Sequence, residues 1–149
     1  MVNFYKGEFR DSIDEFERIT RQFFGGDPQA VQDNLRYLNG LFYNARPTIL
    51  NRSIWKSLQG SRSFKVKSFD NIFTNLKREG DRKNVSRIAL QFIGEGRVND
   101  FNGSVVCPII LHAPNSTGSE YQLVAGNTRL SMASALGIRP EVVILNTDW

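Results

Sequence analysis

The stretch Glu120 to Leu145, EYQLVAGNTRLSMASALGIRPEVVIL, decides the fold. Tyr121, Leu123 and Ala125 alternate with Gln122 and Val124, which is the period of a strand. Gly126-Asn127 breaks that period. From about Thr128 to Leu136 the spacing predicts a helix with Leu130, Ala133 and Leu136 on one side. Gly137 stands where a helix ends, and Pro140 lies just beyond it. The branched apolar run Val142 to Leu145 predicts a second strand.

The chemistry sits in the turn. A helix N-terminus carries unpaired N–H groups and a partial positive charge, so anions settle there. Gly126 lets a ligand approach the backbone closely. Asn127 and Thr128 add short polar side chains, and Arg129 adds a planar fork of donors suited to phosphate. The plain alternative is an ordinary strand-to-helix turn, with Asn127 or Thr128 as cap and Arg129 in water.

Upstream, Val105 to Leu111 reads as a strand interrupted by Pro108. Proline removes a ladder donor, so this strand is expected at an edge or with a bulge. Ala113 to Ser119 is a hairpin loop leading into the strand at Tyr121. Residues 1–10 show no clear period. Ser12 and Glu15 are spaced as a capping box for a helix to about Phe24, with Ile13, Phe16, Ile19, Thr20 and Phe23 on one face. Asp27-Pro28 opens a second helix to about Ala45, carrying Val31, Leu35, Leu38, Phe42 and Ala45. Pro47 is expected to open a third helix with Ile49, Leu50, Ile54, Trp55 and Leu58 inside. Phe64 to Lys67 suits a short strand, Ser68 to Gly80 a helix, and Val85 to Ile93 another. The fold class expected is α+β, a helical N-terminal half followed by a small mixed-sheet unit. The division expected is residues 1–62 and 63–149, or one compact domain.

At 149 residues the chain can bury a real core. No apolar run approaches the ~18 residues of a membrane span, and the acidic N-terminus resembles neither a signal nor a transit peptide. A cytoplasmic location is the default. One cysteine and one histidine make a zinc site a poor expectation. Cys107 and His112, five apart across a strand, point to opposite faces and do not suit a nucleophile pair. The net charge of +4 is uneven: residues 46–97 hold twelve Lys and Arg against Asp70, Glu79, Asp81 and Glu95. That density favours a polyanion such as DNA. Lys65, Lys67, Lys77, Arg78, Arg82 and Lys83 are its candidate backbone contacts.

Taken together, Pro108-Ile109-Ile110-Leu111, the loop at 113–119 and Gly126-Asn127-Thr128-Arg129-Leu130 resemble the ParB N-terminal (ParB/sulfiredoxin-like) superfamily, over about residues 98–145. The Gly-Asn-Thr-Arg wording is most similar to phage-type members. The resemblance implies phosphate contacts at Gly126, Asn127, Thr128 and Arg129, and a nucleoside triphosphate such as ATP with Mg²⁺. Sulfiredoxins place Cys-His in this turn, where this chain has Asn127-Thr128, so that activity lacks its nucleophile. Kinase members carry an acid before the glycine, where this chain has Ala125. Arg129 is then the electrostatic catalytic candidate, and Glu95, Asp100 and Glu120 are candidate bases. The first expectation is an ATP-dependent phosphotransferase or NTPase acting on DNA, including a modified base of phage DNA. The alternatives are a nucleotide-gated or simple DNA-binding protein, and a phage protein that binds a host protein.

Overall fold

A computed structural model describes residues 1–65, 87–94 and 101–149. The strands are β1 (Asn3–Tyr5), β2 (Thr48–Ile49), β3 (Ser104–Val106), β4 (Ile109–His112), β5 (Tyr121–Ala125) and β6 (Glu141–Asn146). The helices are α1 (Ile13–Phe24), α2 (Pro28–Asn44), α3 (Arg52–Gln59), α4 (Arg87–Ile93) and α5 (Asn127–Leu136). This is the α+β architecture expected, helices first and most strands later.

The main sheet has the order β2-β6-β4-β5. β4 lies parallel to β6 and antiparallel to β5, and β2 lies antiparallel to β6. β1 and β3 form a separate parallel pair. Cys107-Pro108 joins the two sheets. Cys107 N–H donates to Tyr5 O at 2.8 Å, and Pro108 O accepts from Val143 N–H at 2.9 Å. The strand thus changes partners at its proline, where the missing N–H costs no ladder bond. The register slips between Ile109 and Ile110, so the irregularity expected of Pro108 is present, but β4 is a central strand.

Side-chain alternation divides the core. Ile109, Leu111, Val124, Val143 and Leu145 face Phe16 and Ile19 of α1 and Leu38 and Phe42 of α2. Ile110, Leu123 and Val142 face Ile54 and Leu58 of α3, with Phe64. The principal core therefore draws on residues from both sides of position 62. Phe9 stacks on Phe16 at 4.2 Å between centroids, and Phe16 meets Phe42 edge-on. Lys6 Nζ donates to the carbonyls of Phe42 and Ala45 at 2.8 Å each, closing the C-terminus of α2 with a cation.

Several local expectations change. β1 occupies residues that showed no period. Ser12 precedes α1 without a side-chain cap, because a 3-10 turn (Phe9–Ser12) comes first, closed by Glu8 N–H donating to Asp11 Oδ2. Pro47 opens no helix. Thr48–Ile49 pairs with β6, Leu50 N–H donates to Pro140 O, and α3 starts with Asn51 capping Ile54. The second helix starts as expected, with Asp27 accepting from Ala30 N–H and Pro28 at its first turn. α4 matches the latter part of the Val85 to Ile93 segment. α5 is less one-sided than its spacing implies: Leu130 packs toward α3, whereas Ala133 and Leu136 pack on the principal core. The predicted helix over 68–80 lies outside the described residues.

Candidate phosphate cleft at the mouth of α5

β5 ends at Ala125, and the chain turns into α5 through Gly126. Gly126 has φ +105°, a left-handed conformation that L side chains rarely adopt. A Cβ at this position would lie 2.8 Å from Pro108 Cα. The bend at Pro108 and the turn at Gly126 therefore require each other. Gly126, at the N-cap of α5, has no side chain to cap it. Leu130 N–H closes the first turn onto Gly126 O at 2.9 Å, and the N–H groups before it have no partner within the helix.

This turn forms one wall of a cleft of about 330 Å³, with Glu15 and Arg18 of α1 opposite and Ser63 beside them. Gly126, Asn127, Thr128 and Arg129 all line it. The four candidate phosphate contacts are thus brought together, but not in equivalent roles. The Asn127 side chain is committed: its Oδ1 accepts from Lys65 N–H at 2.8 Å and its Nδ2 donates to Lys65 O at 2.7 Å. It acts as a clasp between segments. Arg129 is half-buried, and among the described residues its Nε is buried without an acceptor. Burial lowers its pKa from the ordinary value, while Cys107 and Glu15 act in the opposite sense. A guanidinium remains charged in a protein, so the cleft holds a cation whose Nε donor is unmet among the described residues.

The candidate bases separate. Glu120 sits at the other end of β5 from Gly126 and does not reach the cleft. Its Oε1 meets His112 Nε2 at 2.8 Å, while His112 Nδ1 meets Asn146 Oδ1 at 3.0 Å. The His112 ring also stacks on Tyr121 at 4.4 Å. Both imidazole nitrogens are engaged, so Glu120 serves a surface clamp. Glu95 and Asp100 lie outside the described residues, as do Lys67, Lys77, Arg78, Arg82 and Lys83. Lys65 is exposed beside the cleft, where Asn127 holds its backbone. Cys107 is buried in the principal core, and burial raises its thiol pKa to about 11. It is a core side chain, not a thiolate nucleophile.

Sequence reading missed Glu15, Arg18 and Ser63. Glu15 and Arg18 are three apart and so share a side of α1, at the shoulder of its buried stripe. Nothing local says that this shoulder faces β5. Ser63 carries no motif, and its Oγ accepts from Leu123 N–H at 2.8 Å.

No family model matches the chain, and no curated protein or solved structure matches it. Among the described residues, no helix is long and apolar enough to cross a membrane.

Proposed function

We propose that this is a ParB/sulfiredoxin-like protein that binds a nucleoside polyphosphate in the cleft between α1 and the mouth of α5. One observation carries the reading. Arg129 is half-buried, and among the described residues its buried Nε has no acceptor, beside a helix N-terminus that opens on Gly126 with no side-chain cap. A phosphate group answers both needs, with Arg18 as a second cation on the facing wall. ATP with Mg²⁺ is the first ligand to test. Mg²⁺ binds through substrate phosphates and one or two carboxylates, and Glu15 is the carboxylate lining this cleft among the described residues. The location proposed with this reading is the cytoplasm.

Phosphoryl transfer to a DNA acceptor is the fuller form of the proposal. It needs a group to take the acceptor's proton, and Glu15 replaces Glu120 in that role. A binding role without chemistry is the second reading, favoured by Ala125 standing before the glycine and by the engagement of Glu120 with His112.

A thermal-shift titration with ATP, CTP, GTP and ADP plus Mg²⁺ tests the proposal. Stabilisation grows with ligand concentration over Kd. At least one nucleotide is expected to raise Tm, and Arg129→Ala is expected to abolish the shift. Arg129→Lys restores little of it, because a point charge does not reproduce the planar fork. A flat response to all four at millimolar concentration rejects the phosphate cleft. If a nucleotide binds, Glu15→Gln separates the two readings: with nucleotide binding compared in the absence of Mg²⁺, it removes turnover only where there is chemistry.

A further inference from the structure

The phosphate cleft is one end of a longer trough. Two further cavities, of about 530 and 690 Å³, continue from it. The first shares Arg18, Ser63 and Leu123 with the cleft, and the second shares Gln22, Gly118 and Gln122 with the first. Their linings advance in step along both walls. On α1 they pass from Glu15 to Phe24, and on the other wall from Gly126 along β5 to Gly118. The trough thus follows α1, 12 residues long, which spans ~18 Å at 1.5 Å per residue. β5, with 5 residues, accounts for ~17 Å at 3.3–3.4 Å per residue.

Its chemistry changes along this length. Arg129 and Arg18 mark the α5 end, and Arg62 the middle. Phe24 and Trp149 mark the far end, edge to face at 4.7 Å, with Phe24 41 % exposed. The far end also holds Asp148, whose Oδ1 accepts from Tyr37. Between the two ends, Gln22 Nε2 donates to Gln122 Oε1 at 3.0 Å, placing an amide pair in the path. Cations, then amides, then an exposed Phe24 ring backed by the half-buried Trp149 match the parts of a single strand of nucleic acid: phosphates, base edges and base planes. A mononucleotide fills only the first part, and a duplex is too wide to lie between a helix and a strand.

We propose that the trough binds single-stranded nucleic acid, with phosphates along Arg129, Arg18 and Arg62 and a base stacked at Phe24 and Trp149. The proposal rests on the Gly126–Arg129 turn being a phosphate site, and it adds a polynucleotide to the ligands of that site.

The test is equilibrium binding of the full chain to oligothymidylates of two to eight nucleotides, with ATP–Mg²⁺ measured in parallel. Affinity is expected to rise with length and level off near five nucleotides, at ~3.4 Å per stacked nucleotide. Phe24→Ala and Arg62→Ala, both at exposed side chains, are each expected to weaken the longer oligonucleotides about tenfold and to leave ATP affinity unchanged. ATP binding combined with length-independent oligonucleotide binding overturns this proposal alone. So does unchanged oligonucleotide affinity in both variants, or equal affinity for a duplex of the same sequence. Failure of both ATP and oligonucleotides to bind overturns the phosphate cleft as well.

Discussion

Gly126 is held to glycine by two independent constraints: a φ of +105° and Pro108, whose Cβ and Cα would lie 2.7 and 2.8 Å from an added Cβ. Either alone strains a larger residue. Gly126→Ala is expected to lower stability by about 3 kcal/mol or more, combining left-handed strain with overpacking. Chemical denaturation measures this, and a loss under ~1 kcal/mol would show that the turn relaxes freely. This glycine was legible as a turn residue, since it interrupts a period-2 strand and opens a helix. Its contact with Pro108 was not, because a bend eighteen residues upstream leaves no local mark. Arg129 shows the same limit. Its presence at the helix mouth is plain in the sequence, but only packing shows that its Nε is buried without an acceptor among the described residues.

The elements legible in the sequence are those whose ends are encoded chemically. Asp27-Pro28 starts α2, and Gly137 ends α5 in a left-handed conformation at φ +68°. β2 was missed because proline at position 47 resembles a helix start and two residues carry no period. It forms because the edge of β6 accepts it. The same dependence on partners governs Asn127. Its type suggested a helix cap or a phosphate ligand, but its amide bonds both backbone groups of Lys65, as a neighbouring strand would. The clasp fixes residues 63–65 against the start of α5, beside the phosphate cleft. Asn127→Ala is therefore expected to cost about 1–2 kcal/mol and to speed hydrogen exchange at the Lys65 amide. Nucleotide affinity should change far less than in Arg129→Ala. A loss of binding as deep as that of Arg129→Ala, with stability intact, would make Asn127 a ligand instead of a clasp.

At the scale of the molecule, the candidate site has two sources. The turn at Gly126 is local and readable, whereas Glu15 and Arg18 arrive from a helix more than a hundred residues earlier. They do so because Phe16 and Ile19, on the same helix, are buried against the sheet with Leu111, Val124 and Val143. The helical half is thus both half of the core and one wall of the cleft. A fragment comprising residues 63–149 would keep the whole stretch from Pro108 to Leu130 and lose both. Its sheet would expose Ile109, Leu111, Val143 and Leu145, each 4 % exposed or less in the full chain. Burial of such side chains contributes about 1.5–3 kcal/mol apiece, and a domain has only about 5–15 kcal/mol in total. The fragment is therefore expected to unfold without a cooperative transition, to bind hydrophobic dyes, and to show no nucleotide-induced shift. Adding residues 1–62 as a separate chain should restore part of the transition, since the lost core is supplied by α1 and α2. A cooperative melt of the isolated fragment near the full-length Tm would show that residues 63–149 fold without α1 and α2 and that the helices are an addition to them.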